Sequence, residues 1–66
     1  MRLIKKFENG IQTVKVYYDY IWQEYRARLY INGKLQADAD AFDTDKESIL
    51  GTAQTMVNWN QNPILN

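Results

Sequence analysis

The sequence predicts a small α+β domain, an antiparallel β-meander of three to four strands with one C-terminal α-helix packed on one face. Residues 14–31 are rich in β-branched and aromatic side chains and alternate with period two on both sides of a short polar break. This pattern is typical of two central antiparallel strands. Asn-Gly pairs at 9–10 and 32–33 indicate hairpin turns. A capping motif followed by an apolar stripe predicts the helix.

The first hairpin is predicted to join a strand at 2–8 to a strand that begins at Ile11, through a two-residue Asn9-Gly10 loop. This register pairs Glu8 with Ile11. One face of the sheet then carries Leu3, Phe7, Val14, Val16 and Tyr18, and the other carries Arg2, Ile4, Lys6, Ile11, Thr13, Lys15 and Tyr17.

A four-residue loop at 20–23 is predicted to follow, pairing Asp19 with Glu24 and leaving Ile21 and Trp22 near its tip. Loop tips prefer Gly, Asn, Asp or Pro, so this tip is unusual. It aligns Tyr25, Ala27, Leu29 and Ile31 with the face of Val14 and Val16.

The third turn contains Asn32-Gly33 and leads into a predicted edge strand at 34–41, which is alanine-rich and could be partly loop. A strict two-residue loop would send the apolar residues of this strand to the wrong face. We therefore favour a three-residue loop with Gly33 in the left-handed position of a bulge.

The helix is predicted to begin after Thr44 as N-cap, with Glu47 completing a capping box, and to end at Asn58 or Asn60. Gly51 in its interior is interpreted as a point of close approach to the sheet. Residues at helical spacing form one apolar stripe: Ile49, Leu50, Ala53, Met56 and Val57.

Sixty-six residues suffice for one domain, and residues 1–66 are expected to form it, with a short tail at 62–66. A chain of this size buries only about 60% of its unfolded surface, so it usually needs disulfides, a metal or self-association. Cysteine and histidine are both absent, so no cofactor is expected and self-association becomes an option. No apolar run has the length of a membrane span or a signal core, which favours a cytoplasmic protein with no membrane partner.

Catalysis is not expected, because the chain has one serine, no histidine and no glycine-rich phosphate loop. No small-molecule substrate is inferred. The acidic run at 38–47 fails as a calcium loop: counted from Asp38, the required glycine is Asp43 and the required bidentate acid is Ile49. Its acids are better explained as solvent-facing edge residues and helix N-terminal charges.

Charge and aromatic residues on the uncovered face are the most informative functional feature. Residues 1–34 hold seven Lys/Arg and three acids (+4), whereas residues 35–66 hold one lysine and five acids (−4). On that face Lys15 is predicted opposite Arg28, and like charges in this position are destabilising. The candidate interaction surface comprises Arg2, Lys15, Tyr17, Trp22, Arg26, Arg28, Tyr30 and Trp59.

Three interpretations of this surface are open. Tyrosine and arginine are ordinary strand residues on a solvated face. They also suit contact with another protein or a second copy, for which the exposed tryptophans would be anchors. Interleaved arginines and tyrosines also resemble sheets that stack single-stranded bases. We favour a non-catalytic module acting on a protein partner or on itself, with single-stranded nucleic acid as the alternative.

Overall fold

The computed structural model describes residues 1–58, so the predicted tail at 62–66 and the candidate Trp59 lie outside it. Its elements are β1 (Arg2–Asn9), β2 (Gln12–Asp19), β3 (Glu24–Ile31), β4 (Lys34–Leu35), a 3₁₀ turn (Ala37–Ala39), β5 (Ala41–Asp43) and α1 (Lys46–Val57). The strands pair antiparallel in the order β1-β2-β3-β4, and β5 also pairs with β3. Helix α1 contacts β1, β2, β3 and β5. The predicted α+β architecture is confirmed.

The core lies between α1 and one face of the two central strands. Its fully buried members on the sheet alternate along β2 and β3, as period two requires, and those of α1 follow the predicted stripe. Gln12 is buried beside them and donates a 2.7 Å hydrogen bond to the Val57 carbonyl, which ties the last turn of α1 to the sheet. The buried core consists of Val14, Val16, Ala27, Leu29, Ile49, Ala53, Met56 and Val57.

The first hairpin turn differs from the predicted Asn9-Gly10 loop. Asn9 stays in β1 opposite Gln12, so Gly10 and Ile11 form the two-residue loop. Gly10 has φ +63°, whereas neither neighbour has positive φ. One positive φ, at the first central position, is typical of a type II′ turn, while the predicted type I′ turn needs two. From Lys5 to Asn9, every pair between β1 and β2 therefore moves by two residues, which preserves the faces but changes the partners.

A β-bulge in β1 corrects a second prediction. The register shifts between Leu3 and Lys5, so Ile4 is the extra residue, and Ile4 packs against the core. Leu3 then lies opposite Tyr17, half-exposed on the face away from α1. Arg2 lies opposite Tyr18, on the other side of the sheet from Lys15. The predicted faces of Arg2, Leu3 and Ile4 were wrong.

The third turn is the strict two-residue loop that the burial argument disfavoured. Asn32 and Gly33 have φ +54° and +84°, and Ile31 pairs with Lys34, which suits Asn-Gly in a type I′ turn. Leu35 is consequently exposed opposite Tyr30.

The chain then leaves the sheet after β4, which reverses the faces of the residues that follow. Residues 36–40 form a detour that contains the 3₁₀ turn, and β5 then resumes pairing with Ala41 opposite Ala27. Five edge residues thus lie beside two residues of β3, 28–29. The single predicted strand at 34–41 is therefore two short strands, and the detour returns Ala41 to the core side.

Helix α1 begins one residue later than predicted, with Asp45 rather than Thr44 as N-cap. The Asp45 carboxylate accepts a 2.8 Å hydrogen bond from the Ser48 amide. Asp43 accepts a 2.9 Å hydrogen bond from the Asp45 amide. Hydrogen bonds from the Ser48 side chain and from this amide hold the pKa of Asp43 below its usual range. Its stabilising contribution is present above the ordinary aspartate pKa and is lost as the pH falls through the lowered value.

Gly51 does not mark a close approach to the sheet: it is exposed, and apart from its chain neighbours and the backbone of its own helix no atom lies within 4 Å of the position that a Cβ would occupy. We expect Gly51→Ala to raise the free energy of unfolding by about 0.5–1 kcal/mol, because alanine loses less backbone entropy in a helix. Urea denaturation measures the change. The matched control, Gly33→Ala, should lower stability because φ at Gly33 is +84°. A Gly51→Ala protein less stable than the parent would contradict this account.

Candidate functional site

The face of the sheet opposite α1, here called the open face, carries side chains in cross-strand rows. Residues directly opposite one another share a face, so the register defines each row. The turn row contains Glu8, Thr13, Tyr30 and Leu35; the cation row contains Lys6, Lys15 and Arg28; the aromatic row contains Leu3, Tyr17, Arg26 and Phe42; and the acidic pair is Asp19 and Glu24.

The cation row places three like charges side by side on neighbouring strands. The predicted Lys15–Arg28 pair is confirmed, and Lys6 lies opposite Lys15 on its other side. The predicted first-hairpin register set Lys6 opposite Thr13, so this third cation of the row was not predicted. Glu8 lies 3.1 Å from the Lys6 ammonium group, but both side chains are about half-exposed or more, so this ion pair adds little. The row therefore concentrates positive charge, and the repulsion between its members destabilises the isolated sheet.

Each central cation of the open face lies over an aromatic ring. Lys15 Nζ is 4.8 Å from the centre of the Tyr30 ring, and the Arg28 guanidinium is 5.8 Å from that of Tyr17. The Arg26 guanidinium is 4.6 Å from the centre of the Phe42 ring. Such contacts contribute about 0.5–1 kcal/mol each at exposed sites. They hold the long cationic side chains flat against the sheet.

Burial raises the pKa of the Tyr17 hydroxyl, and interaction with the Tyr30 hydroxyl raises it further against an opposing effect of Arg28. A tyrosine with a raised pKa stays neutral in the folded protein at pH values where the unfolded chain ionises. The stability it contributes is therefore present below the ordinary tyrosine pKa and is lost as the pH rises through the raised one.

The acidic pair lies at the loop end of the open face and surrounds Arg26. Arg26 Nε is 3.2 Å from an Asp19 oxygen, and a terminal Arg26 nitrogen is 3.4 Å from Glu24. The Nε contact lacks hydrogen-bond geometry, so it is an electrostatic contact. Asp19 also accepts hydrogen bonds from the amides of Ile21 at 2.9 Å and Trp22 at 3.3 Å. Asp19 therefore shapes the loop as an Asx turn while its charge is partly balanced by Arg26.

The loop at 20–23 presents three consecutive large apolar side chains to solvent. Ile21 is 86% exposed, Trp22 69% and Tyr20 59%. The ring of Tyr20 packs edge-on against Tyr18 at 5.3 Å between centres, and Gln23 closes the loop with φ +54°. The predicted exposure of Ile21 and Trp22 at a loop tip is confirmed. Contiguous exposed apolar surface of this kind marks interaction sites.

At the opposite end of the open face, a shallow groove of about 290 Å³ lies between the turn row and the cation row. Its volume has room for one large side chain. The groove is lined by Lys6, Glu8, Thr13, Lys15, Tyr30 and Gly33.

Of the predicted surface residues, the structure brings together five on the open face: Lys15, Tyr17, Arg26, Arg28 and Tyr30. Trp22 lies on the loop of the same hairpin, Arg2 is on the other side of the sheet, and Trp59 is outside the described residues. Sequence reasoning missed Leu3, Leu35 and Phe42, which are all exposed here. Phe42 had a usable signal, since an exposed aromatic between Ala41 and Asp43 fits the alternation of a short strand.

Within residues 1–58, no group of three or more acidic, cysteine or histidine side chains is placed to hold a metal ion. The same part of the chain contains no helix with the length and apolar character that crossing a bilayer requires.

No protein-family model, curated protein or solved structure matches this chain. The geometry of the open face is therefore the basis for any statement about function.

The cation row predicts that Lys15→Glu stabilises the fold at low salt, by about 0.5–1 kcal/mol. The change converts two repulsive cross-strand pairs into attractive ones, which outweighs the lost contact with Tyr30. The gain should shrink in high salt because exposed charges are screened. Urea denaturation at two ionic strengths measures both effects. Lys34→Glu, the same charge change opposite Ile31, is the control and should be nearly neutral. If Lys15→Glu instead lowered stability at low salt, repulsion within the cation row would not be a significant cost to the fold.

Proposed function

We infer that this protein is a small non-catalytic interaction module that binds a protein partner, or a second copy of itself, through the open face. The observation that carries this proposal is the presence of Leu3, Leu35 and Phe42 on that face, 50%, 46% and 55% exposed. An antiparallel sheet with one solvated face normally places polar residues there. Large apolar residues among ordered charges match the composition of protein interfaces.

The charge distribution supports a protein ligand. The open face carries a cationic row near one end and an acidic pair at the other, with apolar side chains between them. Both signs of charge at defined positions provide register and selectivity against a partner of complementary pattern. The chain as a whole has a formal net charge of zero, so it has no long-range attraction for polyanions.

Single-stranded nucleic acid is the second candidate, and the cation row is the observation that favours it. Two features act against it. The tyrosines that would stack bases already have a cation over them, and the acidic pair lies on the same face. A base would have to displace Lys15 or Arg28 before it could stack.

The protein-partner proposal is tested by affinity capture from the native source with three immobilised chains: wild type, Phe42→Ser and Ile11→Ser. Ile11 is 63% exposed at a hairpin turn, so Ile11→Ser is a matched loss of exposed apolar surface away from the aromatic row. We expect the wild type and Ile11→Ser to retain the same protein, this chain included, and Phe42→Ser to lose most of it. Equal retention by all three chains would refute a role for the open face.

The nucleic-acid candidate is tested by titrating a labelled single-stranded oligonucleotide at low salt. We expect no saturable binding below about 50 µM, weaker than typical non-specific affinity at low salt. Binding that falls with salt at a log–log slope near −2, as about three phosphate contacts imply, would assign the face to nucleic acid. Loss of that binding in Lys15→Gln, with Lys34→Gln unaffected, would locate it to the cation row.

A further inference from the structure

We propose that the open face binds the open face of a second copy of this chain, about a two-fold axis that runs across the strands at the aromatic row. This inference rests on the proposed function and names its partner. It follows from the spacing of the rows, since such an axis reverses the strand direction. Each row of one copy then faces the row that is equally far from the axis on the other side.

The first complementarity is electrostatic. Along β2, Lys15 is two residues from Tyr17 in one direction and Asp19 is two residues away in the other. Along β3, Arg28 and Glu24 flank Arg26 in the same way. Two residues span about 7 Å of strand. The axis therefore sets the cation row of each copy over the acidic pair of the other, twice per dimer.

The second complementarity is between the loop and the groove, and it does not depend on charge. Thr13, which lines the groove, is four residues from Tyr17 along β2, and Ile21 at the loop tip is four residues away in the opposite direction. The same axis therefore brings the loop at 20–23 of one copy to the groove of the other. The exposed apolar side chains of the loop at 20–23 then become buried, as do those of Leu3 and Phe42 in the aromatic row.

The other principal arrangement of two open faces, with the axis along the strands, is worse. An axis parallel to the strands would place the cation row of one copy on the cation row of the other. Like-charge contacts of this kind cost several kcal/mol across an interface. At the favoured axis, the residues that meet their own counterparts are Leu3, Tyr17, Phe42 and Arg26. Of these only Arg26 is charged, and it already has Asp19 and Glu24 beside it.

The available area predicts a weak dimer. Four strands about 4.8 Å apart and four rows about 7 Å apart define roughly 500 Å² on each copy. The total of about 1,000 Å² lies at the lower limit for specific interfaces. Dimerisation should therefore depend on concentration and weaken with salt.

The test is sedimentation equilibrium of wild type, Arg28→Glu, Glu24→Arg and an equimolar mixture of the two variants. Each single variant opposes like charges across both symmetry-related contacts, whereas the mixture restores opposite charges at both. We expect the dimer dissociation constant to rise at least about tenfold in each variant and to return towards the wild-type value in the mixture. Lys46→Glu, an equal charge change at the start of α1, should behave as wild type.

Circular dichroism shows whether each variant is folded, and Lys15→Glu with Asp19→Lys, the other pair that meets across the axis, replaces Arg28→Glu with Glu24→Arg if either of these is not. Ile21→Ser should weaken the dimer more than Ile11→Ser does, because only Ile21 lies on the docking loop. A wild type that stays monomeric at the highest soluble concentration overturns the inference, as does a mixture no tighter than its components. A monomeric chain that still loses a captured protein on Phe42→Ser would overturn the dimer alone and leave the proposed function standing.

Discussion

The packing of one twelve-residue helix on one face of the sheet is the constraint on which the rest of the structure depends. Val14 and Val16 of β2 and Ala27 and Leu29 of β3 are buried only because α1 covers them. The described chain has no second layer for the opposite face. That face must therefore be stabilised by contacts within itself, and the cation–aromatic pairs around Arg28 provide them.

The open face combines features that stabilise a monomer poorly with features that suit a complex. The three adjacent cations of the cation row repel one another. Beside them, Leu3 and Phe42 of the aromatic row remain in contact with water. Both costs would fall if a surface with acids and apolar groups at the matching spacing covered the face. The same chain carries such a surface, because its acidic pair and apolar loop lie on the same hairpin as Lys15 and Arg28.

Irregularities at the two sheet edges supply two of the apolar residues of the open face, Leu3 and Phe42. The bulge at Ile4 turns Leu3 outward on one edge, and the detour at 36–40 positions Phe42 beside Arg26 on the other. Both irregularities keep the core filled, since they return Ile4 and Ala41 to the α1 side. Bulges at edges commonly re-aim a side chain in this way. Each edge irregularity therefore places one residue on the core side and a neighbouring apolar residue on the open face.

The sequence by itself determined the fold class, the β2–β3 pairing and the stripe of α1. In these segments one face is apolar throughout, so a slip of one residue would expose the core. That is why Lys15 opposite Arg28 was predictable. Tertiary structure alone decided the positions of Lys6, Leu3 and Phe42. Asn-Gly permits several turn geometries, and β1 and the edge segment carry too few buried residues to select a register locally. Packing against α1 made that selection, through contacts between residues far apart in the chain.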